Sequence, residues 1–181
     1  MSAATGDPPR FPGDLAIVSG MGRPPRLYDL AQPDRKDLPA ISIAHTEGIA
    51  VALAARNPDT PVGIDIEPVR EDAEGTDALA LTDEERLELP IGAETAPGEW
   101  IARFRVARQA AAKASGLGPP ADPAVAKVVK TDAETGDVSV ALRGARGSAP
   151  ADLARATIRV RTAKRGNHIW AWTLGEEVVQ P

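Results

Sequence analysis

The sequence predicts an α+β domain in which an antiparallel sheet packs against one long helix. Three observations carry this. Trp100, Phe104, Ala107 and Ala111 fall at i, i+4, i+7 and i+11, one stripe of a helix beginning near Glu99, and Gly116 and Gly118 stop it. Residues 157–161 alternate apolar with polar and face 168–174 across 163–167, while 126–131 and 137–142 flank a Glu134-Thr-Gly136 turn. Upstream, Pro61-Val-Gly-Ile-Asp-Ile-Glu-Pro-Val-Arg70 is a short β-branched run that reads as a strand.

In chain order, residues 1–13 hold three Pro and two Gly with little apolar content and read as a flexible leader. Residues 14–20 make a first strand. It runs into Met21-Gly-Arg-Pro-Pro-Arg-Leu27, where Gly and Pro predict an exposed loop carrying Arg23 and Arg26. Residues 28–39 are polar and turn-rich. Residues 40–55 give two apolar runs broken at His45 to Gly48: a hairpin with His45 at its tip, or a strand followed by an alanine-rich helix.

Residues 57–60 turn the chain into the acidic strand, and 71–77 form a charged loop. Thr82 followed three residues later by Glu85 is the capping-box spacing, so a short helix starts there and Pro90 ends it. Residues 91–98 are a loop of Gly, Ala and Pro. Trp170, Trp172 and Leu174 share one face of the last strand and are assigned to the core. His168, at a turn edge, reads as structural or exposed.

Composition narrows the function. With 181 residues the chain can form one compact domain or two half-sized lobes sharing a core. Hydrophobic residues make up 43% but aromatics only 3%, so Ala, Val, Leu and Ile must build the core. The absence of Cys excludes a disulfide framework, thiolate metal sites and cysteine nucleophiles, and two His argue against a multi-histidine zinc site. A formal net charge of −5 argues against general nucleic-acid binding. No apolar run nears the ~18–20 residues of a membrane span, and no signal-peptide core is present, so a cytoplasmic protein without membrane partners is expected.

Chemistry concentrates in two stretches. In a strand Asp65 and Glu67 point to the same face, Ile64 and Ile66 to the other. Same-face residues lie roughly 6–7 Å apart, where two negative charges repel by about 2–3 kcal/mol at an effective dielectric near 20. Water on an open edge strand would relieve this, and so would a hard cation such as Mg²⁺. On the long helix Arg105, Gln109 and Lys113 follow at i, i+4 and i+8, with Arg103 and Arg108 close by and no acid to neutralise them. Such a face is either solvated or lies beside an anion, the acidic strand or a bound phosphate.

Four motifs in this order resemble the 4′-phosphopantetheinyl transferases: Gly22-Arg-Pro, Ile41-Ser-Ile-Ala-His-Thr, Gly63-Ile-Asp-Ile-Glu and Ala107-Arg-Gln-Ala-Ala-Ala-Lys-Ala-Ser-Gly116. The likeness covers roughly 14–176 and is strongest to transferase domains associated with iterative type I polyketide synthases. It implies two pseudo-repeated half-lobes, a short first one at about 14–70 and a second at about 71–176, with 177–181 a tail. The implied activity moves the phosphopantetheine arm of coenzyme A to a serine of an apo acyl carrier protein, or a carrier domain of a polyketide synthase, releasing adenosine 3′,5′-bisphosphate.

By the same resemblance Asp65, Glu67 and Gln109 would hold Mg²⁺ at the pyrophosphate and, with Lys113, form the catalytic set. Arg23, His45, Thr46 and Lys113 would bind coenzyme A. The acidic carrier would land on Arg103, Arg105 and Arg108. Three positions depart from the pattern: Gln109 replaces a Glu, Arg105 a Trp and Ala44 a Ser. Because an amide takes no proton near neutral pH, a weakened homologue that binds coenzyme A or a carrier domain without turnover also fits the residues. So does an unrelated α+β domain in which the acidic strand and basic helix form an ion-pair network.

Overall fold

The structure, a computed structural model, describes residues 12–20, 23–70, 81–90, 97–117, 123–143 and 156–175. A single 3₁₀ turn, Pro12–Asp14, leads into β1 (Leu15–Gly20), β2 (Arg23–Asp29), β3 (Ala40–Thr46), β4 (Ile49–Ala55) and β5 (Val62–Pro68). Helices α1 (Asp83–Leu87) and α2 (Pro97–Ala114) follow, then β6 (Ala126–Thr131), β7 (Val138–Leu142), β8 (Thr157–Arg165) and β9 (His168–Leu174). All pairings among the described residues are antiparallel. β1 pairs with β2 and β3 with β4, and the remaining strands form one sheet in the order β5-β9-β8-β7-β6. The fold is α+β, as expected. The leader before Pro12, the charged loop at 71–77, most of 91–98, Gly118 and the 177–181 tail lie outside the described residues.

The helix stripe behaves as its spacing demands. Trp100, Phe104, Ala107 and Ala111 are all buried, and α2 lies across the large sheet, touching each of its strands. Phe104, Val106 and Ala110 close on Val128, Val140, Val160, Ile169 and Ala171 to make the main core. Trp100 meets Phe104 edge to face, centroids 6.3 Å apart. Gly116, at φ +73°, takes the left-handed conformation that ends a helix. On α1 the capping box is complete: Thr82 Oγ1 accepts from Glu85 N and Glu85 Oε2 accepts from Thr82 N.

Three expectations change. The loop assigned to 21–27 is largely strand, since β2 starts at Arg23 and pairs with β1; Pro24 and Pro25 fall where the register shifts between Val18 and Gly20, so neither stands in a regular ladder pair. The hairpin reading of 40–55 holds, with 49–55 a strand in register with β3 from Ala40–Ala55 to Thr46–Ile49, but the place of His45 in it changes. The turn between them is Glu47-Gly48, both at positive φ, so His45 sits in β3 one residue short of the tip region.

The tryptophans are the third. The buried face of β9 is Ile169, Ala171 and Thr173, turned to α2, whereas Trp170 and Trp172 are half-buried on the opposite face and Leu174 is exposed. A helix rich in alanine comes too close to the sheet to admit indoles. They pack instead on the edge of a second cluster, Ala44, Val51, Ile64 and Ile66, formed where the β3–β4 hairpin covers β5.

Candidate functional site

Gly63 sets the geometry. A Cβ at that position would overlap the Ala110 carbonyl, so only glycine lets β5 run directly against α2. From there the strand's alternation does the rest. Ile64 and Ile66 enter the second cluster, while Asp65 and Glu67 face the helix. Because β5 is the sheet's edge, its outer backbone groups need other partners: Ile64 N donates to Ser42 Oγ at 3.1 Å, and Ile64 O accepts from Lys113 Nζ at 2.9 Å.

Both carboxylates meet cations from one helix stripe. Asp65 Oδ1 lies 2.7 Å from Lys113 Nζ, and Glu67 Oε2 3.2 Å from Arg105 Nε. Lys113 also donates to Ile43 O at 3.3 Å, so its three ammonium protons reach β3, β5 and the Asp65 carboxylate. Burial pushes the Asp65 carboxyl above the usual carboxylate range, and the Lys113 charge and hydrogen bond oppose this only in part. One turn from each cation on the same stripe sits Gln109, whose Oε1 is buried and has no hydrogen-bond partner.

These side chains line a cleft of about 440 Å³ together with His45 and Thr46 at the end of β3, Glu47 in the turn and Arg70 beyond β5. The structure thus brings Asp65, Glu67, Gln109, Lys113, His45 and Thr46 around one space. Arg23 contributes its backbone to β2, and its side chain lies outside the described residues, as does Gly22. Across Lys113 is a larger cleft of about 620 Å³, whose walls include Arg26, Tyr28, Arg35 and Pro58. Lys113 belongs to the wall of both.

The other helix cations are spoken for. Arg103 pairs with Glu99 at 2.8 Å, lies over the Trp100 ring and donates to Thr162 Oγ1. Arg108 is buried and lies 3.7 Å from Glu85 Oε2, a carboxylate that also accepts from Val128 N. The expectation that no acid answers them fails, because Glu99 and Glu85 come from outside the stripe. Of that trio Arg105 is the most exposed, Arg103 and Arg108 lying largely buried in their pairs. Arg70 and the Ile43 carbonyl were missed: backbone acceptors leave no trace in sequence, though Arg70 immediately follows the acidic strand.

Among the described residues, no three His, Cys, Asp or Glu side chains come together as a metal site. The cleft carries the carboxylates of Asp65, Glu67 and Glu47 and the amide oxygen of Gln109, but not gathered into one three-acid cluster. No protein-family model matches the chain, and neither does any curated protein. No described helix is long and apolar enough to cross a membrane.

The formal charges lining the cleft cancel, Asp65, Glu67 and Glu47 against Arg105, Lys113 and Arg70. Neither a bare cation nor a bare diphosphate would gain much there. A divalent cation and a diphosphate entering together could set the metal against the carboxylates and the anion against the basic side chains.

Proposed function

We propose that the protein is a 4′-phosphopantetheinyl transferase, with that family's fold of two pseudo-repeated lobes, the first of them short. It transfers the phosphopantetheine arm of coenzyme A to a serine of an apo acyl carrier protein or polyketide synthase carrier domain. The observation that carries this is the pair of carboxylate–cation contacts, Asp65–Lys113 and Glu67–Arg105, flanking the unpartnered Gln109 oxygen in one cleft.

In the reaction the serine oxygen bonds to the phosphorus that bears the pantetheine arm. The bridging P–O bond breaks, and adenosine 3′,5′-bisphosphate leaves with the electron pair. Asp65, Glu67 and the Gln109 oxygen are an all-oxygen donor set suited to Mg²⁺, which when bound offsets charge growing on the leaving phosphate. His45, Thr46, Arg70 and Arg105 line the space for the phosphates. Lys113 orients Asp65 and stands beside the same space. Gln109 takes no proton, so Glu67 receives the serine proton.

Gln109 also favours a second function, a homologue that binds coenzyme A or a carrier domain with little turnover. Weighing an apo carrier protein after incubation with coenzyme A and Mg²⁺ separates the two. A slowly formed phosphopantetheine adduct is expected, faster with Gln109→Glu and absent with Asp65→Ala. Coenzyme A binding without any adduct would select the second function, and the absence of both would remove the family assignment.

A further inference from the structure

On the sheet face turned away from α2, arginines and indoles stand side by side. Paired residues of antiparallel strands share a face, which sets Arg161 opposite Trp172, Ala163 opposite Trp170 and Arg165 opposite His168. Arg159 continues the row, with Asp137 2.6 Å from its guanidinium at the end of the β6–β7 turn. Arg159, Arg161 and Arg165 are exposed. In a chain of net charge −5, the outward positions of β8 and β9 carry no carboxylate. The row therefore presents positive charge complementary to an acidic surface.

The row leads to the cleft. His168 pairs with Pro68, and its Nε2 lies 3.9 Å from Glu47 Oε2; Pro68 and Glu47 both line the cleft. A molecule resting on Arg161 and Arg165 therefore sits beside the cleft mouth.

We propose that the Arg161–Arg165 face of β8 and β9 is the docking surface for an acidic protein, one that presents a side chain to the Asp65–Lys113 cleft. The purpose of docking rests on the transfer activity proposed above, whereas the surface itself rests on the arginine row. A protein fits better than a nucleic acid. Trp170 and Trp172 are half-buried against the Ile64–Ile66 cluster, so they are not the open platforms on which single-stranded bases stack. Partly buried indole beside guanidinium is the pairing enriched where proteins meet proteins.

The test measures binding of an apo acyl carrier protein by calorimetry, at low and high salt, alongside coenzyme A binding. Arg161→Glu with Arg165→Glu should weaken carrier binding about tenfold or more and reduce its salt dependence. The Gln pair should show a smaller loss in the same direction. Arg56→Glu with Arg86→Glu, an equal change of charge elsewhere, should stay within about twofold, and every variant should bind coenzyme A as the parent does. Unchanged carrier affinity in both the Glu and Gln pairs overturns the proposal. So does a parent protein that does not bind the carrier, or one that binds a single-stranded oligonucleotide more tightly. Carrier binding that responds to the arginines in a protein unable to bind coenzyme A would sustain the docking surface and sink the transfer activity instead.

Discussion

Lys113 Nζ lies 2.7 Å from Asp65 Oδ1, and the same ammonium holds the Ile64 and Ile43 carbonyls at 2.9 and 3.3 Å. One charge therefore ties α2 to the acidic strand and to the hairpin that forms the cleft's far wall. Lys113→Met leaves a largely buried carboxylate without its cation and two carbonyls without a donor. Destabilisation of about 3 kcal/mol is expected, the low end for a broken buried pair, because Lys113 keeps 23% of its side-chain exposure. Adding Asp65→Asn should restore part of the loss, giving a coupling of about 1–3 kcal/mol in a denaturant-melt cycle. Additive losses would mean that the contact ties nothing together.

Gly63 makes that contact possible. With Ala110's carbonyl directly beneath its α-carbon, Gly63→Ala must push β5 away from α2, and the obstacle is backbone that cannot rotate aside. A loss of about 3 kcal/mol or more is expected in the unfolding midpoint, together with weaker nucleotide binding as Asp65 draws back from Lys113. A fully stable Gly63→Ala protein would show that strand and helix are further apart than described.

The contrast between Gly63 and the tryptophans shows what was legible in the sequence. Periodicity found α2 and the strands, because burial of Trp100, Phe104, Ala107 and Ala111 imposes a 3.6-residue repeat that no other structure needs. Alternation likewise placed Asp65 and Glu67 on one face. It could not say which face of β9 was inside. Residue size favoured Trp170 and Trp172, but the small residues of α2 set a helix-to-sheet spacing that only Ile169, Ala171 and Thr173 fit. For the same reason the sequence does not disclose the role of Gly63: a close approach belongs to two elements, and the partner lies 47 residues on, at Ala110. Arg108 looked unanswered because Glu85 reaches it from α1 through tertiary packing, whereas the Glu99–Arg103 pair is an i,i+4 spacing that the sequence does carry.

Asp65 should make cation binding sensitive to mild acid. Burial, only partly opposed by Lys113, keeps its carboxyl above the usual range, so a proton competes for it at higher pH than for a surface aspartate near 3.9. The sign for stability follows: with the folded-state value raised, Asp65 favours the fold below its unfolded pKa, and that contribution is lost as pH rises through the folded value. Ligand binding runs the other way. Affinity for a Mg²⁺–coenzyme A mixture, titrated calorimetrically from pH 8 downward, should begin to fall above the normal carboxylate range, and Asp65→Asn should bind weakly with a flat profile. A wild-type curve that holds until about pH 4 would place Asp65 outside the binding site.

Glu99 should govern acid stability in the opposite sense. Burial raises its pKa most strongly, but hydrogen bonds from Lys164 at 2.7 Å and Arg103 at 2.8 Å, with their charges, together outweigh it and hold the carboxyl below the usual range. A depressed folded-state value contributes stability that is complete above the unfolded pKa, near 4.3, and is lost as pH falls through the folded one. Glu99→Gln leaves Arg103 short of a partner inside the protein, so at pH 7 the variant should be less stable by about 1–3 kcal/mol. Below the folded value the two proteins should converge, since protonation has by then removed the wild-type advantage. Calorimetric Tm values at pH 7, 5, 4 and 3 give the comparison. Parallel curves across that range would mean that Glu99 keeps its ordinary pKa and that the Lys164 and Arg103 contacts do not hold it ionised.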